Sequence, residues 1–219
     1  MNSNTSFPDF FAHAPCITVR DPLADFLGAA GSGVIEYSYA DVVKLAGHSC
    51  PTVASAFLMA RAGLAALYPG ALPERGGVRV DMPDPADEGV SGVIGSVIGM
   101  ITGAAGAGGF HGIGGRFDRR GLLVFGLPEL AGPRLSRIDT GAAVSVSVRA
   151  ERVPGDPRMR GLMQQCMAGT ATPEDEAQFR ALWQDRVRRL FEHADDPQFV
   201  VVEPLQAWPA PAPQIHQGV

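Results

Sequence analysis

The chain has 219 residues, 46% of them hydrophobic, and a formal net charge of −5 at pH 7. This composition supports a sizeable hydrophobic core and excludes a wholly disordered chain. The acidic balance argues against nucleic-acid binding, because contact with phosphates needs clustered lysine and arginine.

The N-terminal segment, residues 1–35, lacks a basic region followed by a continuous apolar stretch, so we predict no signal peptide. It carries an aromatic patch at 7–11 that is able to dock on the rest of the protein or on a partner. His13 and Cys16 have the H-x-x-C spacing of metal ligands, but Cys16 lies beside Pro15 on irregular chain, so we expect it to be a buried structural cysteine. The chain has three cysteines and no CxxC motif, which indicates free thiols in a reducing cytoplasm.

A strand, a short helix and a long helix follow this segment. Residues 34–39 alternate as a strand does, and residues 41–46 predict a short helix that ends at Gly47. Pro51 then begins a run of strong helix formers that extends to Leu67, because proline is favoured at the first helical position.

The turn between the two helices, Gly47-His48-Ser49-Cys50, carries the clearest chemical signal in the chain. Cys50 is predicted at the helix N-cap, where the helix dipole and unpaired backbone N–H groups favour the thiolate. His48 is close enough to share a metal ion with Cys50 or to exchange a proton with it. A transition metal, zinc above all, suits this pair, while an ordinary buried cysteine beside an ordinary histidine is the alternative.

The middle of the chain predicts a strand at 78–82, an apolar helix at 90–101 and a glycine-rich loop at 103–115. The helix is too short to cross a bilayer and glycine is too dense after it for a longer one, so we predict no membrane span. His111 is the best candidate for a third metal ligand, because a glycine-rich backbone lets side chains reach into a cleft. An ordinary loop histidine is the alternative.

The same loop contains our candidate cofactor contacts, Gly106, Gly108 and Gly109, which superficially resemble a phosphate-binding loop. The segment lacks the GxxxxGK[ST] pattern and does not lead from a strand into a helix. Both departures argue against a bound nucleotide.

The C-terminal part adds three strands and two helices. The predicted strands are 122–127, 142–153 and 199–203, and the predicted helices are 158–167 and 172–192. Thr172 begins the second helix with a pattern that is similar to a capping box. Cys166 lies between methionines on the first helix, where we expect it to pack in the core.

These elements are mixed without regular βαβ alternation, so we predict an α+β fold with a mixed or antiparallel sheet packed with helices. A single core domain is predicted over residues 36–203. The residues that follow, 204–219, are rich in proline and predict an extended tail.

Three blocks of the sequence resemble, in order, the E subunit of formylmethanofuran dehydrogenase and its relatives. The first block is a short helix followed by Gly47-His48-Ser49-Cys50-Pro51, which is similar to the Gly-His-x-Cys-Pro-Gly of that family. The second block is residues 101–109 with the strand that follows, and the third is the helix at 171–190. The resemblance implies an association with one-carbon or molybdenum/tungsten redox metabolism.

The chain departs from the family pattern at three positions. Thr52 replaces the usual glycine, Ala104 stands where the family often has a second cysteine, and Ala107 where it often has lysine. No cysteine follows Cys166, so we expect no C-terminal zinc-finger module of the kind that some relatives carry.

Three functions fit these observations. The first is a metal-binding protein of this family, with His48 and Cys50 as ligands in a cleft under the 103–115 loop. The second is a metal-free thiol enzyme in which Cys50 attacks a small molecule and His48 or His111 is the base. The third is an accessory protein that delivers a metal or cofactor to a partner enzyme. The apolar segment 90–115 and the aromatic N-terminus also predict a homodimer.

Overall fold

The computed structural model describes residues 6–207, so the predicted tail lies mostly outside the described residues. Within this range, six α-helices and seven strands surround one hydrophobic core, which confirms the α+β class. The helices are α1 (Pro22–Phe26), α2 (Tyr39–Ala46), α3 (Pro51–Leu67), α4 (Ser91–Thr102), α5 (Met159–Ala168) and α6 (Pro173–Phe191). The strands are β1 (Ile17–Arg20), β2 (Val34–Tyr37), β3 (Val78–Asp81), β4 (Leu123–Val124), β5 (Arg134–Arg137), β6 (Ala143–Val148) and β7 (Val200–Leu205).

The strands form two sheets. The larger sheet has the order β4-β3-β5-β6-β7, in which β3 and β4 are parallel and the other neighbours are antiparallel. The smaller sheet is the antiparallel pair of β1 and β2, whose register joins Ile17 to Tyr37. Part of the N-terminal segment therefore pairs with the start of the predicted core domain.

Helix α3 is the centre of the fold and lies against the larger sheet. Its first residue is Pro51, as predicted, and its side chains at Val53, Phe57 and Leu64 are almost completely buried. Burial of each large apolar side chain of this kind contributes roughly 1.5–3 kcal/mol. Gly63 allows the close approach of the sheet, because a β-carbon there would lie 2.8 Å from Cδ2 of Leu135.

Helix α4 packs within the chain through its glycines. A β-carbon at Gly95 would lie 2.5 Å from Cζ of Phe125, and one at Gly99 would lie 2.7 Å from the carbonyl oxygen of Ala104. The spaced glycines of α4 thus allow close contact with the segments of the same chain that contain Ala104 and Phe125. Among the described residues, no helix combines the length and the apolar character that a membrane span requires.

Helix α6 begins with the predicted capping box. Thr172 Oγ1 accepts from the Asp175 backbone N–H at 3.2 Å, and the Asp175 carboxylate accepts from the Thr172 N–H at 3.0 Å. Val187 and Leu190 form the buried stripe of this helix, which contacts both α3 and α5. Helix α6 therefore packs between α3 and α5 along this stripe.

Two strands are shorter than predicted. The strand predicted at 122–127 is reduced to Leu123–Val124, because Gly126 has a φ of 78° and turns the chain. The strand predicted at 142–153 ends at Val148 and is followed by a short 3-10 helix, Ala150–Arg152.

Candidate functional site

The turn before α3 is built by a left-handed residue and a proline. Gly47 ends α2 with a φ of 74°, a backbone conformation that glycine adopts without strain. Pro51 then occupies the first helical position, so residues 48–50 form a short bridge between the two helices. This geometry fixes His48 and Cys50 at one edge of the core.

Cys50 is the N-cap of α3, as the sequence predicts. Its Sγ accepts a hydrogen bond from the backbone N–H of Val53 at 3.5 Å, and the residue is 8% exposed. The thiol therefore takes the place that a serine or aspartate side chain usually takes at a helix start. The sulfur thus lies at the positive end of the helix dipole, in contact with a backbone N–H.

His48 faces the sulfur of Cys50. The distance from His48 Nε2 to Cys50 Sγ is 3.3 Å, and His48 Nδ1 lies 2.9 Å from the carbonyl oxygen of Ala46. A carbonyl oxygen only accepts hydrogen bonds, so this contact assigns the proton of the neutral imidazole to Nδ1. Nε2 is then the free base that can take the thiol proton or bind a metal ion.

Ser49, between these two residues, is held by side chains from distant parts of the chain. Its hydroxyl donates to Gln184 Oε1 at 2.9 Å and contacts the Tyr39 hydroxyl at 3.0 Å. Its carbonyl oxygen accepts from Trp183 Nε1 at 2.9 Å. Because Ser49 donates its one hydroxyl proton to Gln184, the Tyr39 phenol is the donor to Ser49, and burial keeps it protonated by raising the pKa of Tyr39 far above its usual range.

His48 and Cys50 line a cleft of about 780 Å³. Its walls are largely apolar, with Met59, Met82 and Ile94 among the lining residues. The polar part includes Thr52 and Ser55, on the helix that Cys50 caps, and Asp84, Ser91 and Arg186 from elsewhere. A cleft of this size and character is typical of a small-molecule site.

The FmdE family model, described as molybdenum formylmethanofuran dehydrogenase operon, matches residues 45–200. The chain belongs to the FmdE family. The match begins three residues before His48 and includes α6, so it contains the candidate pair together with Trp183 and Gln184, whereas Tyr39 lies before it. No curated protein matches this chain.

In this FmdE family member, His111 lies in the glycine-rich loop and outside the cleft lining. It is exposed, and its Nδ1 is 3.2 Å from the carbonyl oxygen of Gly112. Within residues 6–207, no three His, Cys, Asp or Glu side chains form a group that could hold a metal ion. The described part of one chain therefore offers His48 and Cys50 as a pair.

The three candidate glycines belong to a turn in the same loop. The N–H of Gly109 donates to the carbonyl oxygen of Gly106 at 3.1 Å, which closes the turn. A β-carbon at Gly109 would lie 2.6 Å from Cβ of Ala105, whereas one at Gly108 would meet nothing within 4 Å. Close packing thus accounts for Gly109, and none of the three lines the cleft.

The other two cysteines differ from our expectation of burial. Cys16 is exposed, although Ala14 and Ile17 on either side of it are buried. Cys166 is half-buried, because α5 buries only Met159 and Leu162 and leaves Met167 85% exposed. His13 Nδ1 lies 3.1 Å from the carbonyl oxygen of Asp9, which leaves Nε2 as the ring nitrogen available to a ligand.

Four residues of the site were not identified from the sequence. They are Tyr39, Trp183, Gln184 and Arg186. The indole N–H of Trp183 is the one signal in the sequence for this role, because a buried indole usually finds an acceptor. The acceptor lies 134 residues away in the chain, which no local pattern indicates.

Proposed function

We propose that this FmdE family protein binds a transition metal ion, most suitably zinc, through His48 and Cys50 and acts on a small molecule in the adjoining cleft. The observation that carries the proposal is the 3.3 Å separation of His48 Nε2 and Cys50 Sγ at the wall of that cleft. Imidazole and thiolate together are the donors that zinc and related borderline metals prefer.

The residues present fit such an ion in part. The hydrogen bond from His48 Nδ1 to Ala46 orients the ring and leaves Nε2 for the metal, as in many histidine-ligated sites. Further ligands would have to come from the small molecule, from water or from a second chain, because the described residues supply no third one. A metal with open positions would polarise a bound carbonyl or lower the pKa of a bound water.

The residues of the chain have defined tasks in this proposal. Tyr39, Trp183 and Gln184 hold Ser49. The neighbouring side chains of His48 and Cys50 are therefore in position before a metal ion or small molecule enters the cleft. The apolar wall at Met59 and Met82 excludes water from one side of the cleft. Pre-organisation of this kind lowers the cost of ordering the site when it binds.

A metal-free thiol enzyme is the second candidate, and the absence of a third ligand in the described chain favours it. His48 Nε2 would take the proton from Cys50 Sγ, and the thiolate would attack an electrophilic carbon of the small molecule. The imidazolium that forms would later return its proton to the leaving group.

An accessory role is the third candidate, in which the pair binds a metal or cofactor for delivery to a partner enzyme. The family description, which names the formylmethanofuran dehydrogenase operon, supports an association with one-carbon or redox metabolism. The homodimer remains part of the proposal, because Val90, Phe110 and Ile113 are exposed apolar side chains within residues 90–115.

Elemental analysis tests the metal proposal. Protein purified without chelator or affinity tag would be compared with His48→Ala and Cys50→Ser, and with Cys166→Ser as a matched control for loss of a thiol. We expect metal in the wild type and in Cys166→Ser, and its loss from the two site variants. Metal absent from all four proteins would exclude the metal site and leave the thiol enzyme.

A further inference from the structure

The arginines of α6 differ in what their guanidinium groups contact. Three of them form ion pairs with carboxylates of the same helix or its end: Arg180 with Glu176, Arg188 with Asp185 and Glu192, and Arg189 with Asp185. Arg186 has no such carboxylate among residues 6–207. Its Nε donates to the carbonyl oxygen of Val153 at 3.0 Å, which anchors the side chain by one edge.

Arg186 lines the cleft that contains His48 and Cys50. The residue is half-buried. Its terminal nitrogens are not buried without a partner, as Arg119 Nη1 is within residues 6–207. It lies one helical turn beyond Trp183, whose indole holds the carbonyl oxygen of Ser49. One face of α6 therefore carries both Trp183, which holds the turn before Cys50, and Arg186, whose guanidinium has no carboxylate partner within residues 6–207.

The rest of the cleft does not neutralise this charge. Asp84 is the carboxylate of the lining, and it accepts a hydrogen bond from Ser91 Oγ at 3.3 Å without an ion pair to Arg186. The apolar part of the lining includes Met59, Met82 and Val146. A guanidinium at the edge of an apolar wall favours a ligand with a carboxylate and an apolar body, because the planar fork pairs with a carboxylate through two hydrogen bonds.

We propose that Arg186 binds the carboxylate of the small molecule on which the His48–Cys50 site acts, and that this molecule is an organic acid with an apolar body. The inference rests on the proposed function, because it assigns the ligand of the same site. Arg186 is then a binding residue that orients the acid with its reacting end toward Cys50.

Two alkylating reagents test this assignment directly. Iodoacetate and iodoacetamide are nearly the same size, but iodoacetate carries a carboxylate where iodoacetamide carries a neutral amide. The rate of labelling by each would be measured at Cys50 by peptide mass spectrometry on the full chain after treatment with a chelator. Cys16, which is exposed, gives the internal reference for the ratio of the two rates. The variants are Arg186→Gln, Arg186→Lys and the control Arg180→Gln, an exposed arginine of the same helix.

In the wild type, we expect the iodoacetate-to-iodoacetamide ratio to be higher at Cys50 than at Cys16. Arg186→Gln should lower the Cys50 ratio by about tenfold, because it removes a charge-assisted hydrogen bond to the carboxylate. Arg186→Lys should restore part of the preference, and Arg180→Gln should leave it unchanged.

The outcomes separate this inference from the proposed function. Rapid labelling of Cys50 by iodoacetamide, with the same ratio in the wild type and in Arg186→Gln, would overturn the role of Arg186 alone. Labelling of Cys50 by neither reagent would contradict both, because both require an accessible thiol in the cleft.

Discussion

Trp183 Nε1 donates a 2.9 Å hydrogen bond to the carbonyl oxygen of Ser49, so a residue of α6 holds the residue next to Cys50. Gln184, the next residue of the helix, accepts from the Ser49 hydroxyl at 2.9 Å. The bridge between α2 and α3 is therefore fixed from outside by a helix that follows it by more than a hundred residues. Such support sets the position of both neighbours of Ser49, His48 and Cys50.

The first prediction concerns this support. Trp183→Phe keeps an aromatic ring but removes the donor, so the affinity of the site for a metal ion should fall by about tenfold, as for other residues that orient ligands. Isothermal titration of the metal-free protein with zinc measures the change. The matched control is Phe179→Leu. It removes the ring whose centroid lies 5.6 Å from the Trp183 ring centroid, and it keeps the indole donor. Equal affinities in Trp183→Phe and the wild type would show that the bond does not position the site.

The second prediction concerns the close contact of α3 with the sheet. Gly63→Ala places a β-carbon 2.8 Å from Cδ2 of Leu135 and 3.1 Å from Cγ1 of Val146, both in the core. Although alanine favours a helix, this overpacking should lower the free energy of unfolding by about 1–2 kcal/mol. Urea denaturation gives the value.

The control for this change is Gly161→Ala on α5, where a β-carbon meets nothing within 4 Å. It should raise the free energy of unfolding by about 0.5–1 kcal/mol, because alanine has the higher helix propensity. If both substitutions stabilise the protein, the packing of α3 on the sheet is looser than described.

The third prediction concerns Asp21, which is 3% exposed and binds two arginines. Its carboxylate is 2.7 Å from Arg75 Nη1 and 2.8 Å from Arg119 Nη2, and it caps α1 by accepting from the Leu23 N–H at 2.9 Å. Asp21→Asn leaves two guanidinium groups without this charge and should lower the free energy of unfolding by about 3–5 kcal/mol.

Asp25→Asn is the control, because the Asp25–Arg20 ion pair is exposed and contributes about 0–1 kcal/mol. Thermal unfolding of both variants beside the wild type compares them under one condition. Similar losses in the two variants would contradict the burial of the Asp21 charge.

The same residue predicts how stability depends on pH. Burial by itself raises the pKa of Asp21, but the hydrogen bond from Arg75 and the charge of Arg119 outweigh it, so the pKa lies below its usual value. The folded state then binds this proton more weakly than the unfolded state. The contribution of the Asp21 carboxylate to the free energy of unfolding is therefore present above the pKa of the unfolded state, and it is lost as the pH falls through the pKa of the folded state. As the pH falls below about 4, acid denaturation of Asp21→Asn should show a smaller loss of stability than that of the wild type.

The sequence predicts the local part of the site because the signals are local. Pro51 and Gly47 determine where α3 begins and α2 ends, and Cys50 between them becomes the N-cap. The partners of Ser49 depend on how α6 packs, which no short pattern contains. Strand β5 was missed for a similar reason, since Leu135 is its one large apolar residue and its pairing with β3 and β6 is tertiary.

The pairing of His48 and Cys50 is tested most directly by titration of the metal-free protein with cobalt(II), followed by absorption spectroscopy. Thiolate ligation produces a charge-transfer absorption from sulfur to cobalt. We predict that this absorption saturates at an equimolar ratio of cobalt to chain in the wild type and in Cys166→Ser. It should be absent in Cys50→Ser and strongly reduced in His48→Ala. No absorption in the wild type, or its persistence in Cys50→Ser, would contradict a metal site at this pair.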